Sequence, residues 1–249
     1  MNFLDINRAS YIMTRIALRP FLGKTARDAF MDKIWPGSYN LPIPILKILP
    51  NILRRRWNWY YWTRACEYSE RTVEKYAKSI HGSLFIDVGA NIGWYCKLLR
   101  NNFKQQIALE ADPQLCTYLR DHCPPNCEAL NLVVSDREGT VSFHSVSDDS
   151  ENFGLGTILP TNLTGREIII PSTTLSRIAG SASSIDLIKV DVEGAEWLVL
   201  DGAETIMPRI KRWIIELHDH DRKTELENRM RHYGYESQWL DSRHALFRK

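Results

Sequence analysis

From Leu84 onward the chain is a series of short apolar runs, rich in β-branched residues and separated by helix-length segments: LFIDV at 84, IALE at 107, ALNLVV at 129, SIDLIKV at 184 and RWIIEL at 212. Runs that stay apolar, without the polar alternation of a half-exposed strand, mark strands buried on both faces, and such strands are parallel and joined by crossover helices. The pattern predicts an α/β fold. Between the third and fourth runs, TVSFHSV at 140 and REIIIPS at 166 read as extra strands around a polar loop at 147–157, an insertion near the expected active edge. A helix from about Asp221 to His232 follows, then ESQWL and HALFRK, joined by Asp241, Ser242 and Arg243. So short a link forces those two strands to be antiparallel.

The beginning of the chain has another character. Pro20, Gly23, Pro36, Gly37, Pro42, Pro44 and Pro50 interrupt residues 1–57, and 59–80 read as one helix. Residues 1–82 hold 14 Lys and Arg against 6 Asp and Glu, while the remainder holds 18 against 24. The expected organisation is a basic, aromatic-rich helical extension over 1–82 and an α/β domain over 83–249. Arg54, Arg55 and Arg56 run into Trp57, Trp59, Tyr60, Tyr61 and Trp62, so residues 41–62 suit a peripheral contact with a membrane surface. A solvated cap with its aromatics against the core accounts for the same composition. The most apolar stretch, LPIPILKILPNIL at 41, contains three prolines and a lysine and is too interrupted to span a bilayer. Five cysteines without a CxxC pair fit a reducing compartment, hence an expected cytoplasmic location.

The strongest local signal is FIDVGANIG, a buried strand entering a glycine-rich turn and then a helix. Glycine allows a ligand close to the backbone, and the following helix start offers free N–H groups. Asp87 precedes the turn, and Glu110 ends the next run, where a carboxylate accepts hydrogen bonds from ribose hydroxyls. The dinucleotide spacing G-x-G-x-x-G is absent, because Gly89 and Gly93 are the glycines present. An acidic Asp87 would repel a pyrophosphate but suits the ammonium group of S-adenosylmethionine. The methyl donor is therefore preferred, with a nicotinamide-dependent oxidoreductase as runner-up.

A second constellation is Lys189-Val-Asp191-Val-Glu193-Gly194-Ala-Glu196 together with Ile215-Glu216-Leu-His218. Alternation puts Lys189 and Asp191 on one strand face, and Glu216 and His218 on one face of another. Equal spacings suggest a register in which Lys189 meets Glu216 as a supporting pair, while Asp191 meets His218 at the carboxyl edge. Asp191 and His218 are the catalytic candidates, since either could take a proton from an acceptor hydroxyl. Asp191, Glu216 and His218 are alternatively a ligand set for a divalent cation such as Mg²⁺. Glu193 and Glu196 are read as acids favoured at a helix N-terminus.

Taken in order over residues 83–220, FIDVGANIG, Glu110-Ala-Asp-Pro113, DLIKVDVEGAE with Leu200-Asp-Gly202-Ala203, and IIELH resemble the FkbM family of methyltransferases. The resemblance implies the class I, Rossmann-like methyltransferase fold, a mostly parallel seven-stranded sheet with an antiparallel last strand. It implies S-adenosylmethionine as donor and O-methylation of a sugar, glycan or natural product. It also implies that Asp87, Gly89, Asn91 and Gly93 form the donor turn, that Glu110 holds the ribose and that Asp136 approaches the adenine amino group. An Asn-Pro-Pro-Tyr motif is absent, which lowers the expectation of base methylation, so nucleic acid is the less favoured partner. Two other functions remain open: RNA methylation guided by the basic N-terminal segment, and a scaffold that binds the donor without transferring its methyl group.

Overall fold

The computed structural model describes residues 71–146, 156–159 and 165–249. The proline-punctuated start, the basic aromatic stretch and most of the 147–157 loop lie outside the described residues. Of the helix expected over 59–80, the described part is α1 (Arg71–Lys78), which buries Val73 and Ala77 in the same apolar cluster as the first strand. Among the described residues no helix is long and apolar enough to cross a membrane.

The apolar runs become a seven-stranded sheet. Its strands are β1 (Gly82–Val88), β2 (Phe103–Leu109), β3 (Cys127–Leu130), β7 (Leu187–Val190), β8 (Arg212–Glu216), β9 (Glu236–Trp239) and β10 (His244–Arg248), in the order β3-β2-β1-β7-β8-β10-β9. The first five of that order are parallel, and β10 runs antiparallel to both of its neighbours. Both faces are buried, which is why the runs are apolar at successive positions. Ile86, Val88, Ile188, Val190, Trp213 and Ile215 enter one cluster. On the other face Phe85, Ala108, Leu187, Ile214 and Leu246 pack with residues of α1 and of α2 (Trp94–Leu98). Asp186, at the amino edge, accepts from the Ser83 and Leu84 amides and pairs with Lys211 at 2.7 Å, pinning the starts of β1 and β7 together.

One expected strand divides. ALNLVV supplies β3 to the main sheet, turns at Asn131 and Leu132, and then supplies β4 (Val133–Val134) to a separate three-stranded sheet. There β4 pairs in parallel with β6 (Gly165–Thr173), and β6 pairs antiparallel with β5 (Gly139–Val146). Val133, Phe143 and Ile170 form its small core. The helix expected at 221–232 is α6 (Lys223–His232), preceded by a 3₁₀ turn at His220–Arg222.

The two sheets meet at Gly202, which ends α5 (Glu196–Asp201) and accepts from both the amide and the hydroxyl of Ser176 in α4 (Leu175–Ala179). A Cβ added at Gly202 would lie 2.1 Å from the Ser135 carbonyl oxygen, at the end of β4. Gly202→Ala must push backbone from backbone and is expected to cost about 3 kcal/mol, the upper end for overpacking. Urea denaturation of the variant should show that loss, and an unchanged midpoint would mean the junction has room for the added methyl group.

Candidate active site

At the end of β1 the chain turns through Gly89 (φ 80), Asn91 (φ 51) and Gly93 (φ 76), left-handed values that favour glycine and asparagine. The turn abuts the next strand closely, because a Cβ at Gly89 would lie 1.8 Å from the Asp191 carbonyl oxygen. Asp87 is 1% exposed, stands opposite Lys189 in the β1–β7 register, and accepts from the Cys96 thiol at 3.5 Å. Glu110 follows β2, and its two oxygens accept one amide each, from Asn91 and Asp112, both at 2.7 Å. Burial pushes its carboxyl up to about 7 although those amides pull it down. Its oxygens keep lone pairs for further donors, which fits a pair of ribose hydroxyls. Asp112 also caps α3 (Pro113–His122) and accepts from Ser145 of the second sheet.

Asp136 lies elsewhere than expected. Because β4 leaves the main sheet, Asp136 is an exposed turn residue of the second sheet, bonded to the Ser135 hydroxyl. The residue that follows β3 at the carboxyl edge is Asn131, whose side chain donates to the Glu110 and Ala111 carbonyls at 2.9 and 2.8 Å. A polar residue inside the run ALNLVV was the available signal for it.

On the other side of Gly89, Asp191 and His218 do come together, but in a different register and company. Lys189 is paired with Ile214, two residues short of Glu216. Its ammonium donates to Asp191 at 3.0 Å and sits 4.8 Å from the centre of the Tyr95 ring. The expected Lys189 to Glu216 bridge is thus replaced, since Glu216 pairs with Arg243 at 3.1 Å and with His244 at 3.3 Å. Burial works against the Glu216 charge, yet His244, Lys189 and Arg243 hold its carboxyl down to about 2.

The group that converges is Asp191, Glu193 and His218, with atoms within 4.8 Å of one another. Glu193 thus stands where Glu216 was expected, because the Glu216 carboxylate is engaged by Arg243 and His244. His218 Nε2 lies 3.1 Å from Glu193, and its Nδ1 lies 2.7 Å from Glu196, which is wholly buried. Burial disfavours a charge on this ring, but the two carboxylates outweigh it and raise the imidazole to about 10. The resting ring is therefore a cation, where the sequence suggested a neutral base. Glu193 (φ 50) and Gly194 (φ 101) make the tight turn that brings Glu193 back over the ring. Thr157 donates its hydroxyl to the Glu193 carbonyl at 3.1 Å, so the end of the insertion rests on this turn. Glu196 does stand at the first position of α5, as an acid at a helix start, and its Oε1 accepts the Gly194 amide. That it faces His218 was not readable.

The strand order, with one antiparallel strand beside an edge and a glycine turn after the first strand, is that of the class I methyltransferase fold. Residues 87–237 match the family model for the methyltransferase FkbM domain, and the chain belongs to that family of S-adenosylmethionine-dependent methyltransferases. No curated protein matches the chain. Among solved structures it is similar to the methyltransferase FkbM from Methylobacillus flagellatus, at 16% identity and a TM-score of 0.47, over 68% of this chain and 44% of that one. It is also similar to TrmK of M. capricolum, solved with S-adenosylhomocysteine, at 12% identity and a TM-score of 0.39, over 72% of this chain and 66% of the other. A TehB-like S-adenosylmethionine-dependent methyltransferase from Corynebacterium glutamicum matches at 15% identity and a TM-score of 0.43, over 77% and 96% of the respective chains. The chain thus spans less than half the length of the Methylobacillus protein and just under two thirds of TrmK.

The raised imidazole makes stability depend on pH. The folded value, about 10, lies above the ordinary 6.5, so the charged ring stabilises the fold fully below pH 6.5 and this contribution is lost as pH rises through 10. Urea unfolding of the wild type and of His218→Gln should give a stability difference that shrinks between those two values. A difference that is flat with pH would mean the ring is uncharged at rest.

Proposed function

We propose that the protein transfers a methyl group from S-adenosylmethionine to a hydroxyl of a sugar, a glycan or a related metabolite. The observation that carries this reading is the contact of Gly89 with Asp191. It supports the reading because the turn whose Asn91 amide is held by Glu110 abuts the strand end that carries the cluster of Asp191, Glu193 and His218. Asp87, Gly89, Asn91, Gly93 and Glu110 hold the donor, with Asn131, beside Glu110, toward the adenine. The donor, when bound, supplies an already activated methyl group on a sulfonium centre. The chain's task is therefore alignment and proton removal.

Asp191, steadied by Lys189, orients the acceptor hydroxyl. The hydroxyl takes the place of Glu193 at Nε2, and the ring, left with one carboxylate, gives up its second proton to solvent. Nε2 then receives the hydroxyl proton. His218→Ala and Asp191→Asn are each expected to lower turnover by about 10²-fold and leave donor affinity unchanged. Lys189→Met acts chiefly through Asp191, to which the ammonium donates, and is expected to follow Asp191→Asn. Mass spectrometry of envelope glycans and small metabolites from cells lacking the gene identifies the acceptor by its missing methyl group. Transfer to RNA alone would overturn the hydroxyl-metabolite reading. Donor binding without product on any acceptor would leave the scaffold reading. A cation such as Mg²⁺ at Asp191, Glu193 and His218 would have to displace the proton that His218 shares with Glu193, so activity is expected to survive chelation.

Glu110 generates a separate expectation for donor binding. Ribose hydroxyls favour its carboxylate, so binding lowers a group that rests at about 7 and releases protons near neutral pH. Calorimetry at pH 7 in buffers of different ionisation enthalpy should detect that release, with affinity falling below pH 7. Affinity independent of pH from 6 to 8 would remove Glu110 from the ribose site.

A further inference from the structure

We infer that Glu196 is a positioning residue for His218: its buried carboxylate keeps a proton on Nδ1, so that Nε2 is the nitrogen presented to the acceptor. The assignment deepens the methyl-transfer reading and rests on it for its catalytic consequence, whereas the position of the proton is a property of the protein alone.

The two carboxylates on the ring are unequal, and the inequality decides which nitrogen keeps its proton. Glu196 lies 2.7 Å from Nδ1 and its side chain is 0% exposed. A buried carboxylate is costly unless it is paired and hydrogen-bonded. Oε1 accepts both the ring and the Gly194 amide, at 2.7 and 2.9 Å, while Oε2 is buried with no hydrogen-bond partner among the described residues. Glu196 therefore has few other stabilising contacts, and losing the Nδ1 proton would leave its charge nearly bare. Glu193, by contrast, is 30% exposed, lies 3.1 Å from Nε2, and can exchange the ring for water at little cost. Glu216, 4.0 Å from Nε2, already has Arg243 and His244 as partners. When one proton leaves, it is the one on Nε2.

The Gly194 amide also fixes where Glu196 can be. Glu193 and Gly194 turn with positive φ, and α5 begins immediately afterwards. One oxygen thus ties the turn, the helix start and the ring together. A neutral imidazole in water prefers its proton on Nε2, so the opposite tautomer is a signature that turn capping alone would not produce.

The test is imidazole ¹⁵N NMR of the full chain, read above the pH at which His218 loses its charge. The wild type and Glu193→Ala are expected to show the Nδ1–H tautomer. Glu196→Gln keeps an oxygen for the Gly194 amide but removes the charge, and is expected to move His218 toward Nε2–H with the fold intact by circular dichroism. Turnover of Glu196→Gln should fall about 10²-fold with the dissociation constant for S-adenosylmethionine unchanged, as for other residues that orient a catalytic imidazole. An Nε2–H tautomer in the wild type, or an Nδ1–H tautomer that persists undiminished in Glu196→Gln, overturns the assignment. Failure of methyl transfer itself would appear as absent turnover in the wild type, which leaves the tautomer measurement readable.

Discussion

The seam between β1 and β7 is made by the same bonds that make the site. The register sets Asp87 opposite Lys189, and the Asp191 amide continues the ladder to the Val88 carbonyl at 3.0 Å. Only a residue without a Cβ can follow there, since Gly89 comes against the Asp191 carbonyl. The glycine turn after β1 and the cluster of Asp191, Glu193 and His218 are therefore two ends of one backbone contact. Their relative position depends on strand pairing, a rigid constraint, rather than on loops.

Around that seam the carboxyl edge gathers acids against basic side chains: Asp191, Glu193, Glu196 and Glu216 lie against Lys189, His218, Arg243 and His244. Each buried acid is satisfied differently, and the difference separates their roles. Glu216 has strong partners and is held ionised, which marks it as support for the edge. Glu110 has two amide donors among the described residues, and burial raises its carboxyl to about 7. Glu193 lies against Nε2 and is open to solvent, as an exchangeable partner must be.

Much of the main sheet was legible because strands buried on both faces leave unbroken apolar runs. The helix before the last pair of strands and the antiparallel turn at Asp241 to Arg243 were legible for local reasons of length. The separation of β4 from β3 was not, since one apolar run can serve two sheets when a polar residue such as Asn131 finds carbonyls to bond at the corner. That misplacement carried Asp136 with it. The pairing of Lys189 with Glu216 failed for a related reason. A period of two tells which face a side chain occupies but not how far one strand is offset along another.

By itself the sequence determined the α/β class, the glycine turn after Asp87, the approach of Asp191 to His218 and the family to which the chain belongs. Each follows from local spacing or from residues a few positions apart on one strand. Only the tertiary structure decided the ionic state of His218, because that depends on Glu193 and Glu196 folding back through a left-handed turn onto a ring from another strand. It also decided that Glu216 belongs to His244 and Arg243. Partners of a buried charge are chosen by distance and desolvation in three dimensions, and neither is written in the order of residues.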